Sequence, residues 1–205
     1  METSLIVALI DFGRNVVGLV TRPYETCRRI AEKANLWELT YVGAVLSLYF
    51  VLASVVKVAG FRPFLLTRQF IVLAAAAGVT YCFVVGLFWE IGRRVAVNGK
   101  LRSLAVLWGY SLLPTAAWFF ITSILYILLP PPRTTSMQGI LFSVLFLVFS
   151  VTLFLWKMTI AYLSLRFGLR IGLGKILVVS AVALPILVLY SFGMYRLGIF
   201  RIPFL

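Results

Sequence analysis

The sequence predicts an all-α polytopic membrane helix bundle with five transmembrane helices, preceded by an amphipathic N-terminal segment. Three observations carry that prediction. Five runs of the 205-residue chain hold no charged residue: Leu39 to Val56, Gln69 to Trp89, Ser103 to Pro132, Thr134 to Trp156 and Ile176 to Tyr195, of 18, 21, 30, 23 and 20 residues. A helix needs roughly 20 apolar residues to cross the about 30 Å hydrocarbon core. The composition is 62% hydrophobic and 12% charged, against about 25% charged in soluble domains. A stretch such as Ile140 to Phe149 is apolar at nearly every position, whereas barrel strands alternate in polarity over about 10 residues. Lipid cannot hydrogen-bond to the backbone, so such runs satisfy their own amides as helices.

Residues 1–36 form a cytoplasmic, amphipathic interfacial segment in this reading, because five of the six acids of the chain lie at or before Glu38. Leu5, Ile6, Leu9, Ile10, Phe12, Val16, Val17 and Val20 recur at near-helical spacing, interrupted by Asp11, Arg14 and Asn15, as in a helix lying in the membrane interface. Thr21-Arg22-Pro23 marks a break, with Thr21 placed to cap and Pro23 early in a second helix from Tyr24 to Asn35. Arg22, Arg28, Arg29 and Lys33 are the candidate lipid headgroup contacts, since basic residues at an anionic surface gain up to about 1 kcal/mol each. An ordinary surface linker is the alternative. Residues 37–205 form one membrane domain, with spans at about 37–58, 69–91, 103–129, 138–160 and 175–195.

The net charge of +13 would suggest nucleic acid in a soluble protein, but here the basic residues separate apolar runs and read as topology signals, with no nucleic-acid partner. Arg14, Arg22, Arg28, Arg29, Lys33, Arg93, Arg94, Lys100, Arg102, Arg166, Arg170 and Lys175 fall on one side, and Lys57, Arg62, Arg68, Arg133, Arg196 and Arg201 on the other. By the positive-inside rule the N-terminus is cytoplasmic and the C-terminus outside.

The third span contains Gly109-Tyr110-Ser111-Leu112-Leu113-Pro114. Pro114 lacks an N–H and its ring crowds the carbonyl of Tyr110, so the helix is expected to kink there, with Gly109 leaving space and Ser111 or a neighbouring polar group satisfying that carbonyl. A static kink that improves packing is the leading reading, and a hinge or small polar site at Gly109, Tyr110, Ser111 and Pro114 the sharper one. Pro185 in the fifth span invites the same pair of readings. This motif and the Arg22-Pro23-Tyr24-Glu25-Thr26-Cys27-Arg28-Arg29-Ile30-Ala31-Glu32 run ahead of the first span resemble prokaryotic Yip1-domain proteins, and the resemblance extends over essentially the whole chain. It implies a five-span membrane domain in a prokaryotic inner membrane, with a scaffold or accessory role.

Glu38, Lys57, Glu90 and Lys157 lie at span ends, where snorkelling or headgroup contact is the default, because charge in lipid costs roughly 2.5 to 3.5 kcal/mol. A candidate ion pair joins Glu90 to Lys157 or Arg94. Small residues build helix contacts in lipid, which nominates Gly43 with Ser47, Ala74 with Gly78, and Ala181 near Ser180, chiefly within the chain, with homodimerisation a lesser option. Gly168 and Gly172 read as a turn.

Catalysis finds little support. The chain has no His, which removes imidazole chemistry and the usual metal ligands. Cys27 and Cys82 stand apart, and no acid follows Glu90, so no disulfide, metal, cofactor or paired-carboxylate site is expected. The leading expectation is a non-catalytic membrane scaffold or accessory subunit that binds lipids or a membrane-protein partner. A small transporter or channel subunit is the alternative, weakened by apolar midplanes and an odd span count.

Overall fold

A computed structural model describes residues 5–57, 63–95, 99–128 and 137–198. It is an all-α bundle: α1 (Leu5–Thr21), α2 (Pro23–Lys33), α3 (Trp37–Lys57), α4 (Pro63–Val95), α5 (Leu101–Tyr110), α6 (Leu113–Leu128), α7 (Met137–Gly168) and α8 (Leu173–Arg196). Among the described residues, five helical stretches are long and apolar enough to cross a membrane, with α5 and α6 as two halves of one of them. The protein is therefore an integral membrane protein. Arg62, Arg133, Arg201 and the end of the third expected span at Leu129 lie outside the described residues.

The helices outrun the charge-free stretches from which the spans are read. α4 and α7 contain 33 and 32 residues, about 50 Å each at 1.5 Å per residue. A helix does not stop where lipid stops, so both continue past their first charged residues, α7 to pack against α2 and α4 to bring Gly92 against Leu169 of the α7–α8 turn. That turn takes its positive φ at Arg170 (φ 55°) rather than at a glycine. Gly168 instead serves close packing, because a Cβ there would lie 2.8 Å from the Leu104 Cα.

α5 is the hub, with seven of its ten residues buried: Ser103, Leu104, Val106, Leu107, Trp108, Gly109 and Tyr110. It packs against α2, α3, α4 and α7. One apolar cluster gathers Leu104, Val84, Phe88, Leu165 and Leu169 with the Ile176, Val179, Ala183 and Leu187 stripe of α8, spaced so that these four share one helix face. A second joins Leu19, Cys27 and Ile30 to Val106, Leu107, Leu113, Ile160 and Leu163. Along the outer half of α7, by contrast, Ile140, Leu141, Val144, Leu145, Leu147, Val148 and Val151 are exposed, the arrangement lipid permits and water would not.

The N-terminal segment is a docked hairpin. Pro23 opens α2 at its first position, and Arg22 occupies the cap without a side-chain bond. Thr21, expected to cap, instead donates back to the Val17 carbonyl at 3.1 Å, because a hydroxyl still inside α1 finds the preceding turn first. α1 and α2 cross where Gly18 meets the Thr26 hydroxyl, a contact a Cβ would block. α2 then lies over α5 and α7: Ser103 donates to the Ala31 carbonyl at 2.8 Å, and Tyr24 meets Phe167 edge-on at 5.0 Å. α1 turns Leu5, Ile6, Leu9, Ile10, Val17 and Val20 outward and buries Ala8, Asn15 and Leu19. Asn15 thus faces inward between two apolar residues, while Arg14 is exposed.

Candidate functional site

The link from α2 to α3 fixes the main polar site. Ala34 adopts a left-handed conformation (φ 44°) that ends α2, and the Asn35 side chain accepts from the Trp37 N–H at 3.2 Å, starting α3. Glu38 thus falls in the first turn of α3, turned into the bundle and 1% exposed. Its Oε2 accepts from Asn15 Nδ2 at 2.8 Å and from the Tyr110 hydroxyl. Asn15 Oδ1 accepts from the Arg29 guanidinium at 2.8 Å, while Asn15 Nδ2 also reaches the Tyr110 oxygen at 3.3 Å. One network therefore ties α1, α2, α3 and α5 together.

Phe12 stacks on Tyr110 with ring centroids 5.8 Å apart, and Tyr41 donates to the Leu5 carbonyl at 2.7 Å, closing the hairpin over the network. Among the described residues, Glu38 Oε1, Asn35 Nδ2 and Thr115 Oγ1 are buried with no hydrogen-bond partner. Of the five described acids, Asp11, Glu25, Glu32 and Glu90 carry an ion pair and Glu38 carries none. Glu38, read as a headgroup-facing residue at a span end, is thus a buried member of a hydrogen-bonded cluster. Its position in α3 does border the interface, but α1 covers it.

Tyr110, from the expected hinge motif, is the wall of that site. The span does not merely kink at Pro114. It breaks: α5 ends at Tyr110, the Ser111 N–H bonds the Leu107 and Trp108 carbonyls at 3.2 and 3.1 Å, and the Leu112 N–H bonds the Gly109 carbonyl at 3.1 Å. The Ser111 hydroxyl donates to the Trp108 carbonyl at 2.7 Å, not to Tyr110 as anticipated, since it is held in the turn that closes α5. Pro114 sits second in α6, where a missing N–H costs nothing. Pro185 differs, lying exposed inside a continuous α8. Gly109 lets α3 approach, because a Cβ there would meet the Leu39 side chain.

The remaining candidates separate. Glu90 pairs with Arg93 at 2.8 Å and Arg94 at 3.0 Å, as helix neighbours three and four apart do. Lys157, the other partner considered for Glu90, forms no ion pair among the described residues, because it lies on the α6 side of α7, away from α4. It lines a groove between α6 and α7. The four candidate headgroup contacts are engaged within the hairpin: Arg22 with Glu25 at 3.8 Å, Arg28 with Glu32 at 3.1 Å, Lys33 with Asp11 at 2.9 Å and Arg29 with Asn15. Burial pushes the Cys27 thiol up to about 12, so this cysteine is an inert core residue.

A cleft of about 220 Å³ opens between α3, α4 and α5, lined by Gly43, Ser47, Ala74, Ala77 and Gly78 beside Leu39, Phe50 and Gly109. The small residues expected to build contacts within the chain leave open space instead, as a Cβ at Gly43 or Gly78 would meet nothing within 4 Å. Ala181 likewise points outward while Ala183 takes the buried position.

Asn15 and Asp11 are the residues that sequence reasoning missed. They interrupt an apolar periodicity four residues apart, which places both on one helix face away from Ile6 and Ile10, and that spacing is the signal that would have found them. Comparison of the chain with protein-family models, with curated proteins and with solved structures finds no match.

Proposed function

We propose that the protein is a non-catalytic scaffold or accessory subunit of the Yip1-like class, seated in a prokaryotic inner membrane with its N-terminus cytoplasmic and its C-terminus outside. Its role is to bind a transmembrane helix of another membrane protein. The observation that supports this reading is the α3–α4 cleft. Small residues allow close backbone approach in lipid, yet Gly43 and Gly78 face space that no part of the described chain fills. A transmembrane helix with a bulky apolar ridge fits such a cleft. Of the hydroxyls bordering it, Tyr81 is engaged with the Ala105 carbonyl at 2.6 Å and Thr80 with Tyr190 at 2.9 Å, so recognition there rests on shape, with the Ser47 hydroxyl in the lining as a further polar contact. The distribution of basic residues supports the orientation: Arg93, Arg94, Lys100, Arg102, Arg166, Arg170 and Lys175 gather at the bundle end that carries α1 and α2.

Affinity purification from native membranes tests the reading. A membrane protein should be recovered at a fixed stoichiometry, and Gly43→Leu with Gly78→Leu, whose Cβ atoms would meet nothing within 4 Å and whose side chains would occupy the cleft, should release it. Recovery of the chain alone, or of a partner indifferent to both substitutions, overturns the proposal.

A further inference from the structure

The groove between α6 and α7 is a second feature of the membrane-facing surface, and it differs from the cleft in carrying a charge. It encloses about 540 Å³ and is lined by Pro114, Thr115, Trp118, Val151, Phe154 and Lys157 among others. Two polar groups in it lack partners among the described residues. Lys157 forms no hydrogen bond or ion pair, and the Thr115 hydroxyl oxygen is buried without a hydrogen bond. The other polar pair in the lining is satisfied, with Trp118 Nε1 donating to Ser150 at 2.9 Å.

The register of the two walls puts those free groups together. The Ser164 hydroxyl bonds the Leu107 carbonyl at 3.1 Å and the Lys100 N–H bonds the Gly168 carbonyl at 3.1 Å, so the α5–α6 stretch and α7 run antiparallel. Counting eleven residues from Gly168 back along α7, and eleven from its contact Leu104 forward, brings Lys157 level with Thr115. Trp156 beside it donates to the Leu19 carbonyl of α1 at 3.3 Å, which sets this level beside the C-terminal end of α1. Farther from α1 the lining is apolar, through Phe154, Val151 and Phe119, over about 10 Å of helix between positions 157 and 150.

We infer that this groove holds one anionic phospholipid, its phosphate between the Lys157 ammonium and the Thr115 hydroxyl and one acyl chain along Phe154, Val151 and Trp118. An ammonium at the polar end of an apolar trough selects an amphiphile with a negative head, and membrane phospholipid is the amphiphile in contact with this face of the bundle. The site is independent of the cleft and of the partner proposed for it.

Native mass spectrometry of the detergent-purified full chain, titrated with dioleoylphosphatidylglycerol and separately with dioleoylphosphatidylcholine, tests it. One phosphatidylglycerol should bind with about tenfold preference, because both lipids carry the phosphate but the choline ammonium of phosphatidylcholine repels Lys157 and competes with it for that phosphate. Lys157→Met should abolish that preference, Lys157→Arg should retain most of it, and Thr115→Val should weaken phosphatidylglycerol binding severalfold. Lys175→Gln, at an exposed position, should leave it unchanged. Melting of each variant checks that the bundle is intact, and Thr115→Val and Lys157→Arg decide the matter should Lys157→Met fail to fold. Equal binding of the two lipids, a preference that survives Lys157→Met, or displacement of phosphatidylglycerol by equimolar oleate would each overturn the inference.

Discussion

Asn15→Leu is expected to loosen α1 from the bundle while leaving the spans folded. Leucine shares asparagine's branching at Cγ and is the larger of the two, so the substitution removes polar contacts without opening a cavity. Lost are the 2.8 Å donation to Glu38, the 3.3 Å contact with Tyr110 and the 2.8 Å bond from Arg29. A hydrogen bond to a charged group contributes about 1.5–3 kcal/mol, and a buried acceptor that loses a donor costs about 1–3 kcal/mol. Arg29 is only half-buried and regains water, which offsets much of its share, and the 3.3 Å contact adds little. The net cost is about 2–3 kcal/mol. Because α1 also rests on Leu19 and Phe12, the cost falls on local release of the hairpin, and amides of residues 5–21 should exchange with deuterium about 30- to 150-fold faster in nanodiscs. Amides of α4 and α8 should keep their rates. Unchanged exchange in α1, or equal acceleration throughout the bundle, would refute the claim that the Asn15–Glu38–Tyr110 network is what docks this helix.

Other expectations follow from the same contacts. In a Cys82→Ala background, Cys27 should resist maleimide in nanodiscs at pH 8 yet label fully in sodium dodecyl sulfate. Its thiol, pushed up to about 12, leaves about one thiolate in ten thousand at that pH, and the fraction grows as pH rises. Gly168→Ala should destabilise the protein by about 1–3 kcal/mol in a detergent melt, since the added Cβ would sit 2.8 Å from the Leu104 Cα and backbone cannot yield cheaply. Gly174→Ala, with nothing within 4 Å, should be neutral or gain up to about 1 kcal/mol from helix propensity. Pro185→Ala should raise the melting temperature, because Pro185 is exposed within an unbroken α8 and alanine restores an N–H for the Ala181 carbonyl.

Much of the fold was readable because charge is expensive in lipid: runs free of Lys, Arg, Asp and Glu mark helices that must satisfy their own backbone. The same rule misplaces the helix ends, since α4 and α7 continue beyond the lipid into contacts that hydropathy does not register. The candidate site was half legible. Tyr110 stood out through the proline four residues on, but Glu38 looked like an ordinary residue at a span end. Its burial depends on α1 folding back over α3, a tertiary event with no local signature. Asn15 carries the inverse lesson: a polar residue on an otherwise apolar surface helix is a defect until a second polar group is found for it in three dimensions.

The glycines show where the bundle is closed and where it is open. Gly18, Gly92, Gly99, Gly109 and Gly168 each sit so near a neighbour that a Cβ would have to displace it, and all five lie in the half of the molecule that holds α1, α2 and the α7–α8 turn. Gly43, Gly78, Gly86 and Gly193 touch nothing within 4 Å, and in the first half the same holds for the exposed Gly13, Gly172 and Gly174. In lipid, apolar helices gain little from each other beyond close packing, so the half with interlocked glycines is the rigid part, fastened further by the Glu38 network. Toward the other end the helices pair through rings and side chains, Tyr49 on Phe119 and Phe83 on Tyr190, and leave clefts between them. Such a bundle offers surface for other helices and for lipids, as the proposed accessory role requires, and it keeps the Asn15–Glu38–Tyr110 network folded away beneath the N-terminal hairpin.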